Sequence, residues 1–391
     1  MLTTLAIQNY RSLLKLVMPL GSLNVITGPN GSGKSNLYRA LRLLAETAQG
    51  GITRALAREG GLPSTLWAGP EKISAGMRKG LVPVQGLQRK EAVRLRLGYS
   101  SKELSYAISL GLPPPPPPSA PSMFSLDPEI KSERIWVGPV YRPGATLIDR
   151  TGALIKARGD DGWRTVAQNI SAFESIFNHV ADPNAAPEVF CIKEIIRGWR
   201  FYDHFRTDRD APARQPQLGT RTPVLHHDGR DLAAAWQTIR EIGDAAGLND
   251  TISDAFPGSR VEIEQANDGR LSVVFHQLGL LRPLSSGELS DGTLRFLLWV
   301  AALLTPRPPS LMVLNEPETS LHPDLLPALA RLIVRTSEQT QIWVVSHAVP
   351  LIAELKKHRG CHSLELERCL GQTQIKGQER LDAPPWQWPD Q

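Results

Sequence analysis

Gly28-Pro29-Asn30-Gly31-Ser32-Gly33-Lys34-Ser35 decides how this chain is read. The apolar run Leu23-Asn-Val-Ile-Thr27 precedes it, and a helical pattern from Asn36 to Ala45 follows. Strand, glycine-rich loop and helix in that order are the setting a phosphate-binding P-loop requires. Gly28, Gly31 and Gly33 permit backbone angles and close approaches that a Cβ would block, so successive N–H groups can turn inward onto phosphate oxygens. Lys34 is placed to neutralise β- and γ-phosphates, and the Ser35 hydroxyl to ligate Mg²⁺. The start of the helix adds its positive dipole end to the same point. These residues point to a nucleoside triphosphate.

Moving outward, Leu5 to Ser12 and Leu20 to Thr27 read as two strands leading into the loop. Far downstream, Ser310-Leu-Met-Val-Leu314 is an apolar run of buried-strand type that ends in Asn315-Glu316-Pro317-Glu318. Parallel sheets bind ligands at the carboxyl ends of their strands, which would put Glu316 beside the P-loop, ready to polarise the water attacking a γ-phosphate. The bland alternative is a cap for a turn, or for the helix that starts near His322-Pro323-Asp324. Gln341-Ile-Trp-Val-Val345 is a second buried strand, ending in Ser346-His347. Alone, such a histidine is a hydrogen-bonded structural residue; one strand after Asn315-Glu316 it reads as a γ-phosphate sensor or a partner of Glu316. Two similar segments, Leu284-Ser-Ser-Gly-Glu288 and Leu289-Ser-Asp-Gly-Thr293, precede an apolar helix from Leu294 to Leu304. Ser and Gly at a helix start offer hydroxyl and backbone donors to an anion.

The intervening chain is less decisive. Ala92–Leu97 and Leu104–Leu110, separated by Gly98 to Glu103, carry a hairpin pattern, and Val261–Gln265 with Leu271–His276 carry another across Asn267-Asp-Gly269. Short strands are expected at Arg134–Val137, Thr146–Asp149 and Ala153–Lys156. Helical patterns cover Ser171–Val180, Glu188–Gly198 and Leu232–Ala246. Pro113 to Pro118 reads as a stiff exposed loop or a polyproline recognition sequence. The arginine-dense region Arg197 to Arg221 reads as a solvated irregular surface rather than a nucleic-acid stripe. No sustained heptad and no internal repeat is visible.

Across 391 residues the formal charge is +5, compatible with a nucleic-acid partner but not an argument for one. Three cysteines cannot form a disulfide framework in a chain of this size, which points to a reducing compartment. His358, Cys361, His362 and Cys369 invite a zinc hypothesis, yet their spacing fits no standard finger and Ser363–Arg368 alternates like a strand. No signal-peptide pattern is visible, and the longest apolar run, Phe296 to Leu304, falls well short of the roughly 20 residues that span a bilayer. The expectation is a soluble, cytoplasmic protein without a membrane partner.

The order of P-loop, Leu-Ser-Asp-Gly-Thr, strand-Asn-Glu-Pro-Glu-Thr-Ser-Leu-His-Pro and strand-Ser-His resembles the ABC-type ATPase heads of the SMC and RecF-like group. It is most similar to the stand-alone AAA-family ATPases of the RecF/OLD-like type, which lack a long coiled coil. Asn9-Tyr-Arg-Ser12 is similar to that group's opening, and Leu225-His-His-Asp-Gly-Arg-Asp-Leu232 to an element of its middle region. The likeness is firm at both ends and weak between about Lys72 and Phe190. It implies an α/β P-loop NTPase, an ABC-ATPase head with a mixed β-sheet core, an antiparallel β-subdomain and a helical insertion. Residues 1–391 would form one head, with 1–60 and 280–391 as the halves of the nucleotide-binding core and about 85–275 as an inserted lobe.

The resemblance further implies a head-to-tail homodimer closing on two ATP molecules with Mg²⁺. Gly28 through Asn36 would hold each nucleotide, so Pro29, Asn30, Ser32 and Asn36 join the loop residues already named. Ser290 and Gly292 would meet the partner's γ-phosphate; Leu284–Glu288 is the alternative signature. Arg11 resembles an arginine that touches nucleotide, and Gln85 is the candidate for the Mg²⁺-ligating glutamine that this architecture implies. The resembled family usually carries Asp-Glu at the end of this strand; here the pair is Asn315-Glu316. Asn315 keeps an oxygen for a Mg²⁺-bound water but removes a charge, which implies weaker metal binding and slow turnover. Lys34, Glu316 and His347 would be the catalytic set. The implied role is an ATP-hydrolysing switch in DNA repair, DNA maintenance or anti-phage defence. The alternative is a non-hydrolysing, ATP-gated adaptor for a separate effector such as a nuclease.

Overall fold

Long-range hydrogen bonding, more than local propensity, divides this chain into its elements. The structure is a computed structural model that describes residues 1–70, 74–78, 81–82, 93–115, 117, 122–379 and 382–390. Gln85 and Ala92 lie outside the described residues. The chain forms two units: Met1–Leu20, Gly28–Gly198 and Leu364–Gln391 make the first, Gly21–Thr27 and Trp199–Ser363 the second.

The first unit is built on an eight-stranded antiparallel sheet. Its spatial order is Leu13–Pro19, Leu2–Tyr10, Leu95–Ser101, Leu104–Gly111, Glu129–Val137, Thr146–Thr151, Leu154–Gly159 and Gly162–Ala167. The opening of the chain corrects the expectation of two strands. Tyr10 pairs with Leu13 across a two-residue turn, Arg11-Ser12, so three strands precede the P-loop. Arg11 adopts φ +48° there without the glycine or asparagine that announces such turns. Gly98 is also not a turn residue. The strand continues through it, and a Cβ at that point would stand 2.8 Å from Trp386 and 2.9 Å from the Tyr106 carbonyl. The helix Lys34–Thr47 lays Leu37, Leu41 and Leu44 into the core at the spacing of one helical face.

Ser171–Val180 is a further correction, since only Ile176–His179 is helical. The reason is a buried ion pair. Arg150 Nη1 lies 2.6 Å from Glu133 Oε2, and both side chains are fully buried. The same guanidinium takes the carbonyls of Ser171 and Glu174, while Glu133 accepts from Ser175 Oγ and the Ile176 amide. Those carbonyls and amides therefore serve the sheet rather than a helix ladder.

The second unit holds the parallel strands, ordered Arg200–Tyr202, Leu311–Asn315, Gln341–Val345 and Leu23–Thr27. The two middle strands are buried on both faces, which is why Leu311–Leu314 and Ile342–Val345 read as unbroken apolar runs. The helix Asp291–Leu303 is buried from Leu294 to Leu303, so its apolar residues show no single face. An antiparallel set pairs Arg260–Gln265 with Arg270–His276, which also receives Gln217–Leu218 and Leu284–Ser285. The expected helix Leu232–Ala246 is two helices, Leu232–Ile242 and Ala245–Ala255, broken at Gly243 and restarted by Asp244, whose carboxylate accepts the Gly247 amide. Cys361–Cys369 is a strand, as its alternation suggested. Among the described residues only His226, His227 and Asp228 gather ligand atoms at metal-like distances, so the cysteine–histidine cluster brings together no such set.

Candidate nucleotide-binding site

The strand Leu23–Thr27 runs without interruption into Gly28, and the helix begins at Lys34. In the first unit the loop rests on the paired segments Leu366–Cys369 and Gln372–Ile375. A Cβ on Gly28 would come within 2.3 Å of the Leu366 carbonyl oxygen, and one on Gly33 within 2.0 Å of Thr373 Oγ1. Both also hold positive φ, +143° and +108°, so glycine is required on two counts. A polar chain fixes the loop from below. Asn36 Nδ2 donates to Ser12 Oγ (2.8 Å), Ser12 Oγ lies 2.7 Å from Thr373 Oγ1, and Thr373 Oγ1 donates to the Ser32 carbonyl (2.8 Å).

The geometry suits a triphosphate. Gly33 caps the helix in a left-handed conformation with no side-chain acceptor, which leaves first-turn amides for an anion. Lys34 Nζ curls over the loop to the carbonyls of Gly28 (2.5 Å) and Pro29 (3.2 Å). Ser35, Pro29, Asn30 and Gly31 are exposed. Ser32 Oγ is buried without a hydrogen-bond partner among the described residues. Arg11 is committed elsewhere: Nε and Nη2 donate to Glu59 Oε2 at 3.2 and 2.9 Å. Tyr10 OH donates to the same oxygen, and burial pushes the Tyr10 phenol well above its usual range. For the Arg11 guanidinium burial pulls the other way, but Glu59 and Tyr10 outweigh it and raise its pKa.

In the second unit the strands Leu311–Asn315 and Gln341–Val345 are neighbours, and their carboxyl ends bring Glu316 and His347 together. Glu316 takes φ +50°, and its amide donates to the Val345 carbonyl (2.8 Å). Its carboxylate is left exposed, with Oε1 3.7 Å from His347 Nδ1. Glu318, which the sequence did not single out, does the holding. Its side chain is 7 % exposed, and Oε1 accepts Ser346 Oγ (2.7 Å) and the amides of His347 (3.1 Å) and Ala348 (3.2 Å).

Ser290 caps the helix Asp291–Leu303, its hydroxyl accepting the Thr293 amide at 3.1 Å, and it is exposed. A Cβ on Gly292 would stand 3.1 Å from the Ser320 carbonyl, so this glycine packs against the turn after Glu318. Leu284–Glu288 is a closed turn instead. Glu288 takes the Ser285 amide and hydroxyl and faces Arg282, and Arg282 above all pulls its carboxyl down to about 2. Of the two similar segments, only Leu289–Thr293 opens a helix. The arginine-dense region is not uniformly solvated, a correction to the expectation from sequence: Tyr202, Phe205 and Arg214 are buried.

A family described as "AAA domain, putative AbiEii toxin, Type IV TA system" matches residues 23–104 and 149–354. The chain belongs to this family. The match takes in the P-loop, Ser290, Glu316 and His347. No curated protein matches the AAA-domain chain. Among solved structures, the SmcHead bound to the C-winged helix domain of ScpA is 12% identical, covering 98% of this chain and 99% of its own, with a TM-score of 0.50. An Smc head domain with an extended coiled coil, bound to the C-terminal domain of ScpA and derived from Pyrococcus furiosus, is 12% identical over 96% and 95%, with a TM-score of 0.47. The SMC head domain from Thermotoga maritima is 14% identical over 97% and 99%, with a TM-score of 0.43. The first of these likenesses gives the fold of this AAA domain, an α/β P-loop NTPase of the SMC-head, ABC-ATPase type. Family and fold together make it an ATP-binding type of NTPase domain. No helix among the described residues is long and apolar enough to cross a membrane.

Proposed function

We propose that this AAA domain hydrolyses ATP slowly and, with ATP bound, pairs head to tail with a second copy. The observation that carries the reading is the exposed Glu316–His347 pair at the ends of adjacent parallel strands, where sheets of this class present ligands. Residues 1–60 and 280–391 would supply the nucleotide-binding halves and about 85–275 the inserted lobe. In the proposed step Glu316 accepts a proton from water as the water oxygen bonds to the γ-phosphorus, and the β–γ bridging P–O bond breaks to leave ADP and phosphate. Lys34 and the helix-start amides would offset phosphate charge. Ser35 Oγ and Asn315 are the residues that would hold Mg²⁺, which supplies further charge neutralisation when bound. His347, fixed through its own amide by Glu318, would respond to the γ-phosphate. Ser290 and Gly292 would complete the partner's site, a role supported by the exposure of Ser290.

The family's description as a putative toxin of a type IV TA system favours a defence role over DNA upkeep, in a cytoplasmic setting. A second reading, an ATP-gated adaptor that recruits an effector without turnover, is favoured by Asn315 standing where a second carboxylate would bind metal more strongly. Phosphate release separates the two. Turnover that Glu316→Gln removes, with ATP still bound and a dimer accumulating on gel filtration, supports the enzyme. Absence of turnover with and without DNA supports the adaptor. A Glu316→Gln variant that stays monomeric in ATP removes the dimer, and ATP affinity unchanged by Lys34→Ala in calorimetry removes the P-loop assignment.

A further inference from the structure

Arg214 sits in the short turn Pro212–Arg214 and is 9% exposed. Its guanidinium offers five N–H donors in a rigid planar fork. Nη1 donates to the carbonyls of Ser286 (2.9 Å), Gly287 (3.3 Å) and Leu289 (2.8 Å). Nη2 donates to Asp291 Oδ1 (2.7 Å) and the Thr207 carbonyl (2.9 Å), and Nε to the carbonyls of Thr207 (3.0 Å) and Asp208 (3.2 Å). The Arg214 carbonyl in turn accepts Ser286 Oγ at 2.8 Å. One buried cation thus ties the segment 207–208 to both Ser-Gly segments.

The acceptors Leu289 O and Asp291 Oδ1 flank Ser290 in sequence. With Leu289 and Asp291 on either side tethered to one buried guanidinium, Ser290 keeps its cap on Thr293 and an exposed position, and the helix start is fixed in direction. We infer that Arg214 is the positioning residue for the Leu289–Thr293 signature, setting the geometry in which Ser290 and Gly292 meet the γ-phosphate of a second copy's ATP. This rests on the proposed head-to-tail pairing. The guanidinium acts through the loop and does not touch nucleotide. Lysine cannot replace it, because one ammonium with three donors cannot serve acceptors spread over both sides of the fork.

The test uses the full chain with Arg214→Met, Arg214→Lys and Asp291→Asn. Calorimetry should give ATP affinities within about twofold of wild type, since Lys34 and its loop are untouched, while turnover falls about tenfold or more in Arg214→Met. Arg214→Lys and Asp291→Asn should lie between, and ATP-dependent dimer should fall in the same order. Mixing Arg214→Met with Lys34→Ala should restore turnover, because a mixed pair contains one site with an intact P-loop and an intact signature. Equal turnover in Arg214→Met and wild type overturns the inference, as does a mixture that stays inactive. If Arg214→Met does not fold, Arg214→Lys and Asp291→Asn take its place in the turnover and mixing measurements, and the same two results overturn the inference. A wild-type protein that turns over ATP as a monomer sinks the pairing itself, an outcome distinct from a dimeric wild type that ignores Arg214.

Discussion

Glu316 and Glu318 are two residues apart yet sit in opposite environments, and the positive φ of Glu316 is what separates them. Glu318 accepts three donors from residues 346–348, of which the Ser346 hydroxyl is fully buried and the two amides are partly so. Glu318→Ala leaves them unmatched, so its denaturant midpoint should fall by an amount equivalent to about 2–5 kcal/mol. Glu318→Gln keeps an acceptor and should cost less. Glu316→Gln, at an exposed position, should stay within about 0.5 kcal/mol of wild type in the same titration, whatever it does to turnover. A Glu316→Gln variant as unstable as Glu318→Ala would refute this division of labour. Gly33→Ala forces a methyl toward Thr373 Oγ1 at φ +108°, so ATP affinity by calorimetry should drop at least about tenfold as the loop shifts. The need for glycine at position 33 was legible because the P-loop spacing fixes it. Thr373 and Glu318 were not. Their roles arise from the partner that folding brings opposite them, and Asn-Glu-Pro-Glu does not say which carboxylate turns inward.

Elements whose hydrogen bonds and burial are locally patterned could be read directly. Leu311–Asn315 and Gln341–Val345 announce buried strands by unbroken apolar runs, and the turn before Gly269 announces its hairpin. Ser171–Val180 misled because Arg150, distant in sequence, claims its carbonyls, and Leu232–Ala246 because Gly243 ends one helix before Asp244 starts another. The C-terminal segment is a third case of distant control. Trp386 packs edge-on against Trp136 and Trp388, and Asp390 accepts from Arg96 (2.9 Å) and Arg94 (3.1 Å). Burial pushes the Asp390 carboxyl up, but Arg96 above all, with Ser109 and Arg94 adding less, outweighs it and holds it below the usual range. A carboxyl depressed in the folded state stabilises above its unfolded pKa, about 3.9, and that contribution fades as pH falls through the lower folded value. Asp390→Asn should therefore unfold earlier at pH 7 by about 1–3 kcal/mol, with the gap to wild type closing toward pH 3. A gap that widens in acid contradicts the assignment.

At the scale of the whole molecule, the chain passes between its two units at 20/21, 27/28, 198/199 and 363/364. The excursion Gly21–Thr27 is short, yet it supplies the strand that pairs with Gln341–Val345 and places Leu23 and Val25 in the second unit's core. The Ile342 amide donates to the Ser22 carbonyl and the Ser346 amide to the Ile26 carbonyl, so the strand closes the ladder at both ends. A fragment of residues 199–363 therefore exposes an unpaired, wholly apolar edge, Ile342-Trp-Val-Val345, together with the vacated sites of Leu23 and Val25. Such edges template aggregation. Expressed alone, this fragment should sediment as aggregates, and a version carrying residues 21–27 through a flexible linker should recover soluble material. Sedimentation velocity on both forms checks this. A monomeric 199–363 fragment with a cooperative thermal transition would show that the second unit specifies its own sheet without the strand that leads into the P-loop.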